Sequence, residues 1–375
     1  MLNRSNAHNL RFALARMARG AYALVAMVAL CAVSPGRARA NLVITPTFDS
    51  TITSDPNAAA IEGTINSAIG VLEADISTPI TVSVYFQEGD QNFDAAALLS
   101  DNQSGYYWAS YYAYYNALKA IDTAPGATSA QRTALASLGP APSLNSGNPV
   151  NGYDGDGQAM VLTSPNLRAL GLLAPPANQQ ASNKQLYDSI ITFNPEITYP
   201  PNPNTGSNYA LEASMLHELD EVLGIGGGGS SLGPNTFNDY TDGSSGVARL
   251  GPVGPMDLFR YSASGVRSFS LLTTTSPYSY FSIDGGNTVL SYFNQSELAD
   301  YGDWLSDPIP AGYGPQVQDA YATRGADPTL GVNELTALEA IGYTLAVPEP
   351  TTMGIALCGI VPVLLRRKRP ARTAG

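Results

Sequence analysis

Residues 41–87 constrain the fold more than any other stretch of the chain. Asn41–Asp49 (NLVITPTFD) alternates roughly between apolar and polar residues. Ile80–Gln87 (ITVSVYFQ) alternates cleanly and sends Ile80, Val82, Val84 and Phe86 to one face. Between them, Asn57–Ile76 places Ile61, Ile65, Ile69, Val71 and Leu72 along one side of a helix. A strand, a helix and a strand at this spacing form a βαβ unit, because parallel strands need a long crossover. The expected class is therefore α+β with a mixed or partly parallel sheet.

A second helix is expected over Ser207–Gly224 (SNYALEASMLHELDEVLG), with Ala210, Leu211, Met215, Leu216, Leu219, Val222 and Leu223 recurring every three or four residues. Ser207 or Asn208 can cap its start, and Gly224 can end it in the left-handed conformation. His217 and Glu221 are four apart and share a face, with Glu218 about 100° round the axis. This is the geometry of H-E-x-x-H, in which the first and last residues bind zinc and the glutamate is the general base. Here the motif stands as H-E-L-D-E. His217 and Glu221 are the expected ligands and Glu218 the base. The rival reading is a solvated His–Glu pair, worth a few tenths of a kcal/mol.

The ends of the chain narrow the choice of further ligands. Arg4, Arg11, Arg16 and Arg19 precede a short apolar run, Ala21–Val33, and Ala38-Arg39-Ala40 offers a small-x-small cleavage site, so residues 1–40 read as a secretory signal. His8 leaves with it, and His217 becomes the sole histidine of the body. The two cysteines, Cys31 and Cys358, lie in the terminal apolar stretches, which excludes a thiolate metal site or a cysteine nucleophile in between. The ends hold eleven basic residues and one acid; of the chain's 19 basic and 31 acidic residues, 8 and 30 remain for the body. So acidic a body disfavours nucleic acid and anionic lipid as partners. With no other histidine, a third ligand must be Asp, Glu, Tyr or a carbonyl. Asp239, Asp242, Asp257 and Asp303 are candidates; Asp257 leads, because its compact apolar segment can return beneath the helix. An oxygen-rich set also admits manganese or calcium in place of zinc.

The remaining elements are coarser. Tyr106–Ile121 reads as a tyrosine-rich helix whose aromatics pack on the sheet, and Asp188–Phe193 as a strand. Pro140–Gly157 reads as loop, Tyr280–Leu290 as a hairpin turning at Asp284-Gly285-Gly286, and Asn333–Tyr343 as a last helix ended by Gly342. The glycines after Gly224 (IGGGGSSLG) allow either a sharp turn or a mobile flap. The expected division is 41–224, ending in the motif helix, and a loop-rich 225–346. No G-x-S-x-G elbow or phosphate-binding loop competes as a catalytic set.

The tail, Val347-Pro348-Glu349-Pro350, then Thr351–Leu365 and Arg366-Arg367-Lys368-Arg369, resembles the PEP-CTERM sorting signal of Gram-negative bacteria. The resemblance implies recognition by an exosortase, transient membrane anchoring over 347–375, and an envelope or extracellular destination. HELDEVLG, PMDLFRYSASGVR, YFSIDGGNT and DYGDW together resemble a family of exported PEP-CTERM proteins regarded as metalloproteases, in which H-E-x-x-E is the usual form. The element order also resembles the zincin, more narrowly metzincin, architecture. Metzincins place a third histidine six residues beyond the second motif ligand; here that position is Gly227. The resemblance implies a zinc-dependent endopeptidase acting on peptides or proteins, carried by His217, Glu218 and Glu221. The alternative is an inactive surface protein on the same fold, associated with extracellular polysaccharide.

Overall fold

The computed structural model describes residues 41–90, 98–139, 159–196, 198–199, 208–232, 253–268, 278–296 and 298–346. The stretches expected to be a secretory signal (1–40), a sorting tail (347–375) and a loop (140–157), with Asp239 and Asp242, lie outside the described residues. Among the described residues, no helix is long and apolar enough to cross a membrane.

The expected βαβ unit forms. Strand β1 (Val43–Phe48) is followed by helix α1 (Ala58–Asp75) and strand β2 (Thr81–Glu88), and β1 and β2 pair in parallel with Val43 opposite Thr81. Strand β3 (Ser100–Ser104) comes next, and strand β4 (Tyr106–Ser110) runs directly into helix α2 (Tyr111–Asp122). Helix α3 (Ser129–Ser137), strand β5 (Ala159–Thr163) and strand β6 (Ser189–Phe193) complete the first half. The main sheet has the order β1-β2-β6-β3: β6 joins β2 in parallel, and β3 closes the edge antiparallel to β6. The class is thus α+β with a mixed sheet.

The tyrosine-rich segment is corrected at its start. Tyr106–Ser110 is extended and pairs antiparallel with β5, register Tyr106 to Thr163. The helix begins only at Tyr111, where the Ser110 hydroxyl accepts from the Ala113 N–H as an N-cap. Consecutive bulky aromatics favour a pleated surface, and the cap decides where the helix can begin. Tyr111 and Tyr114 are fully buried, as the packing reading expects, whereas Trp108 and Tyr112 are exposed.

The motif helix α4 spans Leu211–Leu223. Gly224 ends it at φ +101°, as expected. The start differs: Ala210 caps it with no side-chain bond, because Tyr209–Ala210 pairs in parallel with Thr198–Tyr199 and pins that backbone as extended. Helix α4 packs on α1, where the Ser67 hydroxyl donates to Glu212 Oε1 at 2.8 Å, and lies beside the edge strand β3. Beyond it, strands β7 (Arg260–Ala263), β8 (Val266–Arg267), β9 (Tyr280–Phe281) and β10 (Ser291–Tyr292) form a second sheet ordered β8-β7-β9-β10. The β9–β10 pair is the expected hairpin, although its second strand starts at Ser291. Its turn uses positive φ at Gly285 and Gly286, with the Asp284 carboxylate gathering Asn287 N–H and Thr288 N–H. The last helix, α5 (Val332–Ala340), ends before Gly342 at φ +112°.

One apolar core runs through both sides of Gly224, from Leu42, Ile65 and Phe86 to Phe259, Trp304 and Tyr343. The boundary expected at 224 therefore falls inside that core. A buried ion pair pins the first sheet. Asp188, fully buried, takes both Arg168 amino groups at 2.8 Å and adds Ser164 Oγ and Ser83 N–H.

Candidate metal centre

The His217 ring is oriented by a carbonyl 100 residues away. Its Nδ1–H donates to Val317 O at 2.9 Å, since a carbonyl oxygen can only accept. In the neutral ring this leaves the Nε2 lone pair facing the cleft, the tautomer that a metal-binding histidine requires. Nε2 lies 3.7 Å from Glu221 Oε1 and 3.7 Å from Asp303 Oδ2. These three groups meet within 4.8 Å of one another and form the metal-competent cluster among the described residues. Asp303, one of the four acids considered, joins His217 and Glu221 in that cluster.

Asp257 does not. Its Oδ1 accepts from Ser230 Oγ at 2.6 Å, and its Oδ2 accepts from Gly254 N–H, Ser231 N–H and Ser231 Oγ at 2.8, 2.9 and 3.2 Å. The segment does return, but its carboxylate ties the 230–231 and 254–257 segments together and is not part of the cluster around His217 and Glu221. Asp220, inside the motif, is also fully buried near Glu334, and burial holds its pKa well above the usual carboxylate range.

The glycine run explains why position 227 carries no side chain. Gly226–Gly229 forms one 3-10 turn tucked beneath the end of α4, so the sharp turn, and not a flap, is what these residues make. The Gly227 N–H donates to both Glu221 Oε1 and Asp303 Oδ1 at 2.9 Å. A Cβ built on Gly227 would fall on Glu221 Oε1 and within 2.6 Å of Asp300 Oδ2. Where a metzincin has a ligand side chain, this chain has a backbone donor that orients two carboxylates.

Further groups hold the ligands from outside. Gln318 Nε2 donates to Asp303 Oδ1 at 2.9 Å, and Asn102, on β3, donates to Glu221 Oε2 and to Glu218 Oε2, the latter at 3.2 Å. Neither residue carries a local sequence signature. They become visible only when β3 and the 316–319 loop close over the helix.

The electrostatics follow from burial. Glu218, Glu221 and Asp303 are each less than 5% exposed and share a cleft of about 380 Å³ with Asp101, Asp300 and Asp319. Burial pushes the Asp303 carboxyl up to about 7 against the attraction of His217. Burial, with Asp303 and Glu218 adding, pushes Glu221 well above its ordinary value. Glu218 is raised by burial too, against His217 and hydrogen bonds from Ser100 and Asn102. Burial alone would lower the His217 pKa, but the Asp303 and Glu218 carboxylates outweigh it and the net direction is up.

The donor set fits a divalent cation. One ring nitrogen and two carboxylate oxygens converge, with the Gly227 N–H and the Asn102 and Gln318 amides donating to the carboxylates; the Gln318 amide also lies 3.3 Å from His217 Nε2 and would have to yield to an ion there. Ligand bonds of about 2.1 Å in a tetrahedron put ligand atoms about 3.4 Å apart, close to the two 3.7 Å separations from His217, and all three ligand atoms lie within 4.8 Å of one another. No protein-family model, curated protein or solved structure matches the chain.

Proposed function

We propose that the chain is an exported, zinc-dependent peptidase of zincin-like architecture, sorted to the cell envelope by its C-terminal tail. The observation that carries this reading is the convergence of His217 Nε2, Glu221 Oε1 and Asp303 Oδ2 on one point of a cleft that also holds Glu218. Its antiparallel edge strand, β3, lies beside the motif helix, where an extended peptide can run along it.

A bound divalent ion would supply Lewis-acid polarisation of a water and of the peptide carbonyl. His217, Glu221 and Asp303 would hold it. The carbonyl of Val317 keeps the His217 tautomer fixed, and Gly227 and Gln318 keep the Asp303 carboxylate in place. Glu218, whose pKa burial raises above the ordinary carboxylate value, would receive the proton of the attacking water and return it to the leaving amine. Asn102 bridges Glu218 and Glu221, so the base and one ligand are positioned by the same side chain.

The test is metal stoichiometry paired with proteolysis. Purified protein loaded with zinc or manganese and desalted should retain one ion per chain by elemental mass spectrometry. It should also cleave a denatured protein into fragments with new termini. His217→Ala and Asp303→Ala should lose both properties. Failure to retain any divalent ion after either loading would remove the proposal.

A further inference from the structure

A second, larger hollow adjoins the metal cleft. It encloses about 960 Å³, near the upper end of small-molecule pockets, and its walls include Tyr278, Tyr280, Tyr292 and Pro308. Leu298 and Tyr321 line both cavities, so the two share a wall. The chemistry changes across that wall. The metal cleft holds six carboxylates, whereas Asp307 is the one charged residue on the lining of the hollow.

The aromatic side is ordered. Tyr292 meets Tyr278, Tyr280 and Tyr313 edge-to-face, with ring centroids 6.4, 6.5 and 6.1 Å apart. The Tyr280 hydroxyl is held by Gly286 O at 2.7 Å, which fixes that ring from beneath. Tyr278 stays 43% exposed and Leu298 83% exposed. Leu298 is thus open to solvent where the two cavities meet, and Tyr278 is open on the wall of the hollow.

We infer that this hollow is the specificity subsite for a bulky apolar or aromatic side chain of an extended peptide whose scissile bond lies in the metal cleft. Only the placement of the scissile bond in the metal cleft rests on the peptidase reading; the apolar side-chain site does not. The cleft alone, at about 380 Å³, is too small for more than a short piece of an extended peptide. A chain leaving it past Leu298 and Tyr321 enters the hollow directly. Rigid aromatic walls bury such a side chain with little loss of their own freedom. The near-uncharged lining gives a carboxylate or ammonium no compensation for lost water.

The probes are two amidated decapeptides, identical except that one carries Phe at several positions where the other carries Ala. Binding is read by calorimetry on metal-loaded Glu218→Gln protein, and independently on His217→Ala protein. The Phe peptide should bind at least tenfold tighter than the Ala peptide. That ratio should fall toward one in Leu298→Asp and in Tyr278→Ser, two exposed positions where substitution leaves the core intact. If no peptide is cleaved and no metal is held, yet the ratio on His217→Ala protein still depends on Tyr278 and Leu298, the peptidase reading falls and the hollow stands as a peptide site. If cleavage occurs but the ratio is near one, or is unchanged by both variants, the subsite is overturned. It is equally overturned if a neutral oligosaccharide binds with the same dependence on Tyr278 and Leu298 while neither peptide binds.

Discussion

The metal-free protein should lose stability as pH rises from 5 to 8, opposite to the common behaviour of proteins whose carboxylates are paired. Asp303 carries the largest resolved effect. Its pKa rises from 3.8 to about 7 in the fold, so the folded state holds a proton that the unfolded chain has released. The corresponding stabilisation is complete below about pH 4 and is lost as pH climbs through about 7. Taken alone, that displacement is worth about 4 kcal/mol. That value already contains the attraction of the His217 imidazolium, and only the part of the loss above pH 5 falls in the range tested, so about 2–3 kcal/mol is the expectation for Asp303 between pH 5 and pH 8. Asp319, also raised to about 7 by burial, acts in the same direction. His217, raised by its carboxylate neighbours, adds stability below its unfolded value near 6.5 and loses it above. Asp49 and Asp284 have lowered pKa values and act oppositely, but their window lies at acid pH, below the range tested. Urea unfolding in the presence of a chelator at pH 5 and pH 8 measures the difference. Asp303→Asn should flatten the curve, leaving the slope due to the other raised carboxyls. Saturating zinc should reverse the trend, because a metal replaces the protons and stabilises by about 2.7 kcal/mol at a hundredfold excess over Kd. A metal-free protein whose stability is level or increases between pH 5 and 8 would refute the burial argument for the whole cluster.

Five substitutions separate the roles assigned to individual groups. Glu218→Gln should abolish hydrolysis while leaving one metal ion per chain, checked by elemental analysis beside a peptide-cleavage assay. Gly227→Ala should weaken metal binding by at least about tenfold in a chelator competition, since its Cβ displaces Glu221 and Asp300 and disturbs the shared N–H donor. Asp303→Asn should cost metal affinity by a larger factor while leaving the zinc-free protein at neutral pH at least as stable as the wild type, because the neutral amide has no buried charge to develop. Asp257→Asn should instead destabilise the fold by about 1–3 kcal/mol, because an amide donor would face the N–H groups of Ser231 and Gly254. Arg168→Ala should lower unfolding free energy by about 3 kcal/mol through the uncompensated Asp188, with metal content unchanged.

The parts legible in the sequence are those with local causes. Alternation at Val82, Val84 and Phe86 reports a half-buried strand, and the recurrences from Leu211 to Leu223 report a helix, because each pattern is repeated within a few residues. Gly224 is legible for the same reason: a left-handed terminus needs that residue. The third ligand is not local. Asp303 reaches Glu221 across 82 positions through the Gly227 N–H, and nothing near Asp303 distinguishes it from Asp257, whose segment is the more apolar. Asn102 and Gln318 were invisible for that reason as well. At Tyr106–Ser110 the failure lies elsewhere: three aromatics followed by Ala and Ser suit strand or helix, and the pairing partner at Ala159–Thr163 decides.

The tight seat of Gly227 also restricts what the lineage of this chain can become. A histidine introduced there would need Glu221 and Asp300 to vacate the space its first carbon occupies, so a second nitrogen donor beside His217 is closed off at that position by packing. Any cation held at this cluster would meet one nitrogen and two carboxylate oxygens, a donor set that discriminates less between zinc and harder ions than a histidine-rich one would.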